Sequence, residues 1–114
     1  MNRFDFLEQL KQRLPEAYSV IDTSDELLHC EMADFRKWVE LQMTLRADWN
    51  CQKAFELIVH CSKNADSNLE NAIEVSFIED LALGEHLSEY KVVVKERAPK
   101  ELRDRLSSIS KFWA

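Results

Sequence analysis

The sequence predicts an all-α fold, and three observations carry that prediction. Its 114 residues include one glycine and two prolines, too few for the tight turns of a sandwich or barrel. Leu, Glu, Ala and Lys are plentiful, and these are strong helix formers. Apolar residues recur at helical spacing in segments closed by recognisable caps. The expected architecture is an irregular bundle of five or six antiparallel helices around a central helix over 68–83, in a single domain spanning 1–114. A chain this long buries roughly two-thirds of its unfolded surface, enough for one core.

The first helix is expected over 3–13, capped by Asn2, with Phe4, Leu7, Leu10 and Leu14 inward and Phe6 beside them. Pro15 ends it, or opens a short turn, "PEAYS". A second helix is expected to start at "TSDE", where Thr23 and Glu26 have capping-box spacing, and to run to about Arg46. Leu28, Met32, Phe35, Val39 and Met43 form one stripe on it. Leu27, Trp38, Leu41 and Leu45 form another. The third helix follows a tight join at Ala47–Asp48, with Asp48 as its cap. Its inner face is Cys51, Ala54, Phe55, Ile58 and Cys61, and it ends near Ser62–Lys63. The fourth helix is "SNLENAIEVSFIEDLALGEH". Ser67 and Glu70 again have capping-box spacing, and Gly84 stands where a helix wants a residue of positive φ just past its end. A fifth helix is expected over 87–97, because a lone strand at "VVV" would have nothing to pair with. Pro99 then suits the first turn of a last helix that buries Leu102, Leu106, Ile109 and Trp113.

Charge is unevenly distributed. Formal net charge is −6, yet residues 91–114 carry seven basic and three acidic side chains. The acidic body disfavours nucleic acid and favours basic partners. Lys91, Lys95, Arg97, Lys100, Arg103, Arg105 and Lys111 are interleaved with Tyr90, Phe112 and Trp113. The simplest use of that cationic stretch is to pack beside the acidic fourth helix. The opening residues carry Asp5 and Glu8 inside their apolar part, unlike a secretory leader. No apolar run approaches the length of a membrane span. With three cysteines and no CxxC spacing, a reducing cytoplasm is the expected compartment.

The residues offer little for catalysis, cofactors or metals, so a non-enzymatic role is expected. His29–Cys30 and His60–Cys61 pair zinc-binding residue types, but adjacent helical positions do not face one another. Cys51 falls in a first helical turn, where a thiol pKa can drop, without the glycine-rich surroundings of a nucleophile. Only one Glu-x-x-His occurs, Glu26 to His29, where a di-metal bundle needs two.

A protein surface remains. Between Lys63 and Lys91 there is no Lys or Arg, while Asp66 to Glu89 holds seven carboxylates. On a helical wheel the fourth helix has two apolar arcs: Leu69, Ala72, Ile73, Phe77 and Leu83, and Val75, Ile78, Leu81 and Ala82. One arc faces the core. The other meets a neighbouring helix, with Asp80 paired to its Lys or Arg, or meets a partner. Carboxylates among apolar residues suit a basic protein partner. The expected contact residues are Glu70, Glu74, Glu79, Asp80 and Glu85. The alternative is a small homo-oligomeric or regulatory helical domain, with Trp38, Trp49 and Trp113 as apolar surface for self-association.

Over residues 24–97 the chain resembles a group of small uncharacterised bacterial all-helical domains. The shared phrase is Ile73, Val75, Ser76, Phe77, Ile78, Glu79 and Leu81, preceded by "HCEMADFRKWVELQM". In size, acidity and helical content it is similar to immunity proteins of bacterial toxin systems, contact-dependent ones included. That resemblance implies a cytoplasmic protein that binds and blocks a cognate toxin, with no catalytic residues.

Overall fold

A computed structural model describes residues 1–84 and 87–114. Among the described residues every regular element is helical and no strand occurs. Helix α1 (Arg3–Arg13) is capped by Asn2, and Asp5 completes a capping box with it. Helix α2 (Pro15–Ser19) has its proline at the first turn, where the missing N–H costs nothing. Helices α3 (Leu28–Thr44) and α4 (Asp48–Asn64) follow. Helix α5 runs through Ser67–Ala72, Ile73–Glu79 and Asp80–Leu83. Helices α6 (Ser88–Arg97) and α7 (Lys100–Ile109) precede a 3₁₀ turn, Lys111–Trp113.

The middle of α5, Ile73–Glu79, is π-helical. Its i→i+5 hydrogen bonds widen the turn, so each residue advances by less than the usual 100°. This is why a regular wheel splits the apolar residues into two arcs. Across the wide turn, position 73 is followed by 78 and position 72 by 77. Leu69, Ile73, Ile78 and Ala82 then form one row, and Ala72, Phe77 and Leu81 the next; all seven are buried. Both rows lie inward, and α5 packs against α3, α4 and α7. Val75 and Leu83, assigned to those arcs by the wheel, are on the surface.

The core is built mainly on α3, α4 and α5. Phe35 packs its ring against Phe6, Trp38 and Phe77, with centroids 6.1, 6.3 and 5.6 Å away. The predicted inner face of α4 is fully buried. The radius of gyration is 12.9 Å, against about 13 Å for a compact chain near this length.

Several expectations are corrected. Phe4 is exposed and Phe6 is the buried ring, because α1 turns the Phe6–Leu10 row toward α3. The Thr23–Glu26 capping box does not form. Asp22 instead binds Ser24, Glu26 adopts φ 54°, and α3 starts only at Leu28. Its second stripe is inward at Trp38 alone; Leu27, Leu41 and Leu45 are exposed. Asp48 does not cap α4. It pairs with Arg46 and Arg97, tying the α3–α4 corner to α6. Asp66, not Ser67, caps α5 by accepting from the Leu69 N–H at 2.9 Å.

The positive-φ position is taken by Arg46, at φ 55°. There the Ala47 N–H reaches the Gln42 carbonyl and the Arg46 N–H that of Met43, a Schellman ending without glycine. Gly84 has φ −79°. Its requirement is space: a Cβ there would lie 2.7 Å from the Asp80 carbonyl oxygen. Gly84→Ala is therefore expected to destabilise the fold by about 1–3 kcal/mol, read from thermal denaturation.

Candidate functional site: the acidic side of α5

The wide turn that aligns the buried rows also aligns the outward ones. Stepping four residues, then five, then four places Glu70, Glu74, Glu79 and Leu83 in one line. Asn71, Val75 and Asp80 lie in the next. Glu70, Glu74 and Glu79 are partly exposed, and Asn71, Val75, Asp80 and Leu83 are exposed. Val75 retains 39% and Leu83 66% of its accessible surface. The π segment thus builds a carboxylate row with an apolar residue at its end and another beside it.

The two ends of that row differ in charge. Arg105 of α7 donates to Glu70 at 2.9 Å and to Glu74 as well. Ser62 joins them, donating to Glu70 at 2.7 Å and accepting from Arg105 at 2.8 Å. The cationic segment does reach the acidic helix, but at its first half. Among the described residues no Lys or Arg forms an ion pair with Glu79 or Asp80. Glu85 lies outside the described residues. Of the predicted set, Glu70 and Glu74 are brought together by one guanidinium, while Glu79, partly exposed, and Asp80, exposed, have no Lys or Arg partner among the described residues.

On the α3 side the π segment is held by two side chains. The Arg36 Nε donates to the Ser76 carbonyl at 3.2 Å, which suits backbone left unsatisfied by irregular winding. The His29 Nδ1 shares a 2.8 Å hydrogen bond with the Ser76 hydroxyl, and its Nε2 lies 3.4 Å from the Asn71 amide nitrogen. His29, Asn71, Asp66, Asn68 and Arg3 line a pocket of about 380 Å³. Ser76 is buried and does not line it, and both ring nitrogens of His29 are engaged. A serine nucleophile activated by this histidine would have no access to a substrate there.

Two of the three cysteines behave as packing residues. Cys51 and Cys61 are buried and Cys30 is exposed. Burial raises both buried thiols from 9.0 to about 11, and Asp48 adds to the rise at Cys51. The shift is opposite to what a nucleophile needs. At pH 8 only Cys30 is expected to react rapidly with a disulfide reagent, and all three after denaturation. Folding disfavours these thiolates. The stabilisation is therefore full below about pH 9 and lost as pH climbs through about 11. Urea midpoints should fall across that interval, and Cys51→Ala/Cys61→Ala should flatten the fall.

Two features escaped the sequence reading. Glu31 is fully buried and bound through both oxygens by Arg3, at 2.7 and 2.6 Å. A signal was present: Glu31 stands at i, i+4, i+7 and i+11 with Phe35, Trp38 and Gln42, all buried. The other feature is the π segment, which no capping or composition rule marks.

Among the described residues no helix is long and apolar enough to cross a membrane. No group of three or more His, Cys, Asp or Glu side chains among them is placed to hold a metal ion. No curated protein and no solved structure matches the chain. Residues 7–114 match the family described as a domain of unknown function, DUF7674, and the chain belongs to that family.

Proposed function

We propose that this domain is a non-enzymatic binding protein that takes a basic protein partner on the acidic side of α5, in the manner of an immunity protein neutralising a cognate bacterial toxin. The observation behind it is that Glu79 and Asp80 stand without a basic counterpart among the described residues, next to exposed Val75 and Leu83. An apolar contact ringed by carboxylates gives a basic partner a desolvated centre and an attractive field, which sets association rate and specificity. In this reading the antiparallel helices form an irregular bundle about α5, and Glu70 and Glu74, held by Arg105, stiffen the near end of the surface. No catalytic residue, cofactor or metal is required. The three free thiols fit a reducing cytoplasm.

Capture from a lysate of the native host tests it. A partner should be retained at low salt and released at about 0.5 M, where charges more than a few ångströms apart are screened. Retention at every salt concentration, or no partner at all, would contradict the reading.

Self-association is the second reading, and one observation favours it. Leu41, Leu45 and Trp49 are 53%, 65% and 66% exposed around the α3–α4 corner. Trp38 and Trp113 are buried and offer it nothing. A monomer at high concentration by light scattering would remove it.

A further inference from the structure

The cations of the C-terminal segment divide into two groups. Arg97 pairs with Asp48, Lys100 with Asp104, and Arg105 with Glu70 and Glu74. Lys91, Lys95 and Arg103 have no ion pair among the described residues. These three line one pocket of about 360 Å³, with Val94, Ser107 and Trp113 among its other walls. Lys91 and Lys95 are one turn apart on α6, and Arg103 and Ser107 one turn apart on α7. The Asp104 carboxylate also lines the pocket but is engaged by Lys100 at 2.6 Å.

Like charges converge only where something offsets their repulsion. Lys91 gains some of that from the Phe112 ring, whose centroid is 5.6 Å from its Nζ. Among the described residues Arg103 gains no such contact, and its Nε is buried without a hydrogen-bond partner. A buried donor left unmade is unfavourable, and a turn of the Arg103 side chain, which lines the pocket, would bring it to an anionic oxygen there. The walls therefore combine two point charges and one guanidinium edge on a partly apolar floor, while the Ser107 hydroxyl is spent on the Asp104 carbonyl at 3.1 Å.

We propose that this pocket binds a small multivalent phosphate-bearing anion. Three cations exceed what a single carboxylate can neutralise, and an arginine edge beside lysines fits tetrahedral oxyanions. The net charge of −6 opposes a long polyanion while leaving a short one free to enter a local positive pocket. The site is separate from the acidic side of α5 and stands or falls independently of it.

Calorimetric titration of the full chain with inorganic pyrophosphate at low salt tests the proposal, with citrate as a multivalent anion lacking phosphorus. Saturable binding of pyrophosphate is expected, tighter than citrate. Arg103→Gln should weaken it about tenfold, and Lys91→Gln/Lys95→Gln by more, since each removes charge-assisted hydrogen bonds. Lys100→Gln, outside the pocket, should change it less than about twofold. Circular dichroism verifies that each variant is folded. Four results would overturn the proposal: no saturable binding at millimolar pyrophosphate, equal binding by the folded pocket variants, citrate binding as tightly as pyrophosphate, or a single-stranded oligonucleotide outcompeting pyrophosphate.

Discussion

Phe35→Ala is expected to cost roughly 3–5 kcal/mol, the range for truncating a buried aromatic side chain. Phe35 has no solvent exposure and touches rings from α1, α3 itself and α5. Its removal leaves a cavity that no single neighbour can fill, because Phe6 and Phe77 are anchored on different helices. Domains of this size have a total stability of about 5–15 kcal/mol, so the variant should be near the edge of folding. Urea denaturation reads the loss. Phe35→Leu, which keeps more of the volume, should lose less. A loss below about 1.5 kcal/mol for the alanine variant would mean that the three helices do not meet at this ring.

Arg3→Met is the second large effect, expected at about 3–5 kcal/mol. The Glu31 side chain is completely buried, while that of Arg3 keeps 16% exposure. Removing the arginine strands a charge in the core. Removing the glutamate frees a guanidinium that can reach water, so Glu31→Leu should cost less than Arg3→Met. The double variant Arg3→Met/Glu31→Leu should recover most of the loss, since apolar replacement of a buried pair is often close to neutral. Costs that simply add in the double variant would show that the two side chains are not coupled.

The helices were legible because their signals are local. Asn2, Pro15 and the α4 face of Cys51, Ala54, Phe55, Ile58 and Cys61 act within a few residues of themselves, and the structure uses them as expected. Capping boxes were less dependable. Thr23–Glu26 and Ser67–Glu70 have the spacing, but Asp22 and Asp66 compete for the same backbone with stronger acceptors. Glu70 was then free to bind Ser62 and Arg105, a contact 35 residues away that no local rule describes. The π segment was illegible for a related reason. Its winding is stabilised from outside by Arg36 and His29. Without it the α5 wheel spread buried and exposed apolar residues over two arcs. With it Glu70, Glu74 and Glu79 fall into line, Glu70 and Glu74 bridged by Arg105 and Glu79 without an ion pair among the described residues.

The central claim is that the unneutralised half of this row recognises a basic partner. Its most direct test is to compare capture of the salt-sensitive partner by Glu79→Lys/Asp80→Lys and by Glu8→Lys/Glu16→Lys. The two variants change net charge equally, but the second does so at exposed sites on α1 and α2. Loss of the partner from the α5 variant, with retention by the α1–α2 variant, is the predicted result. Equal retention by both, or equal loss from both, would contradict a specific acidic surface on α5.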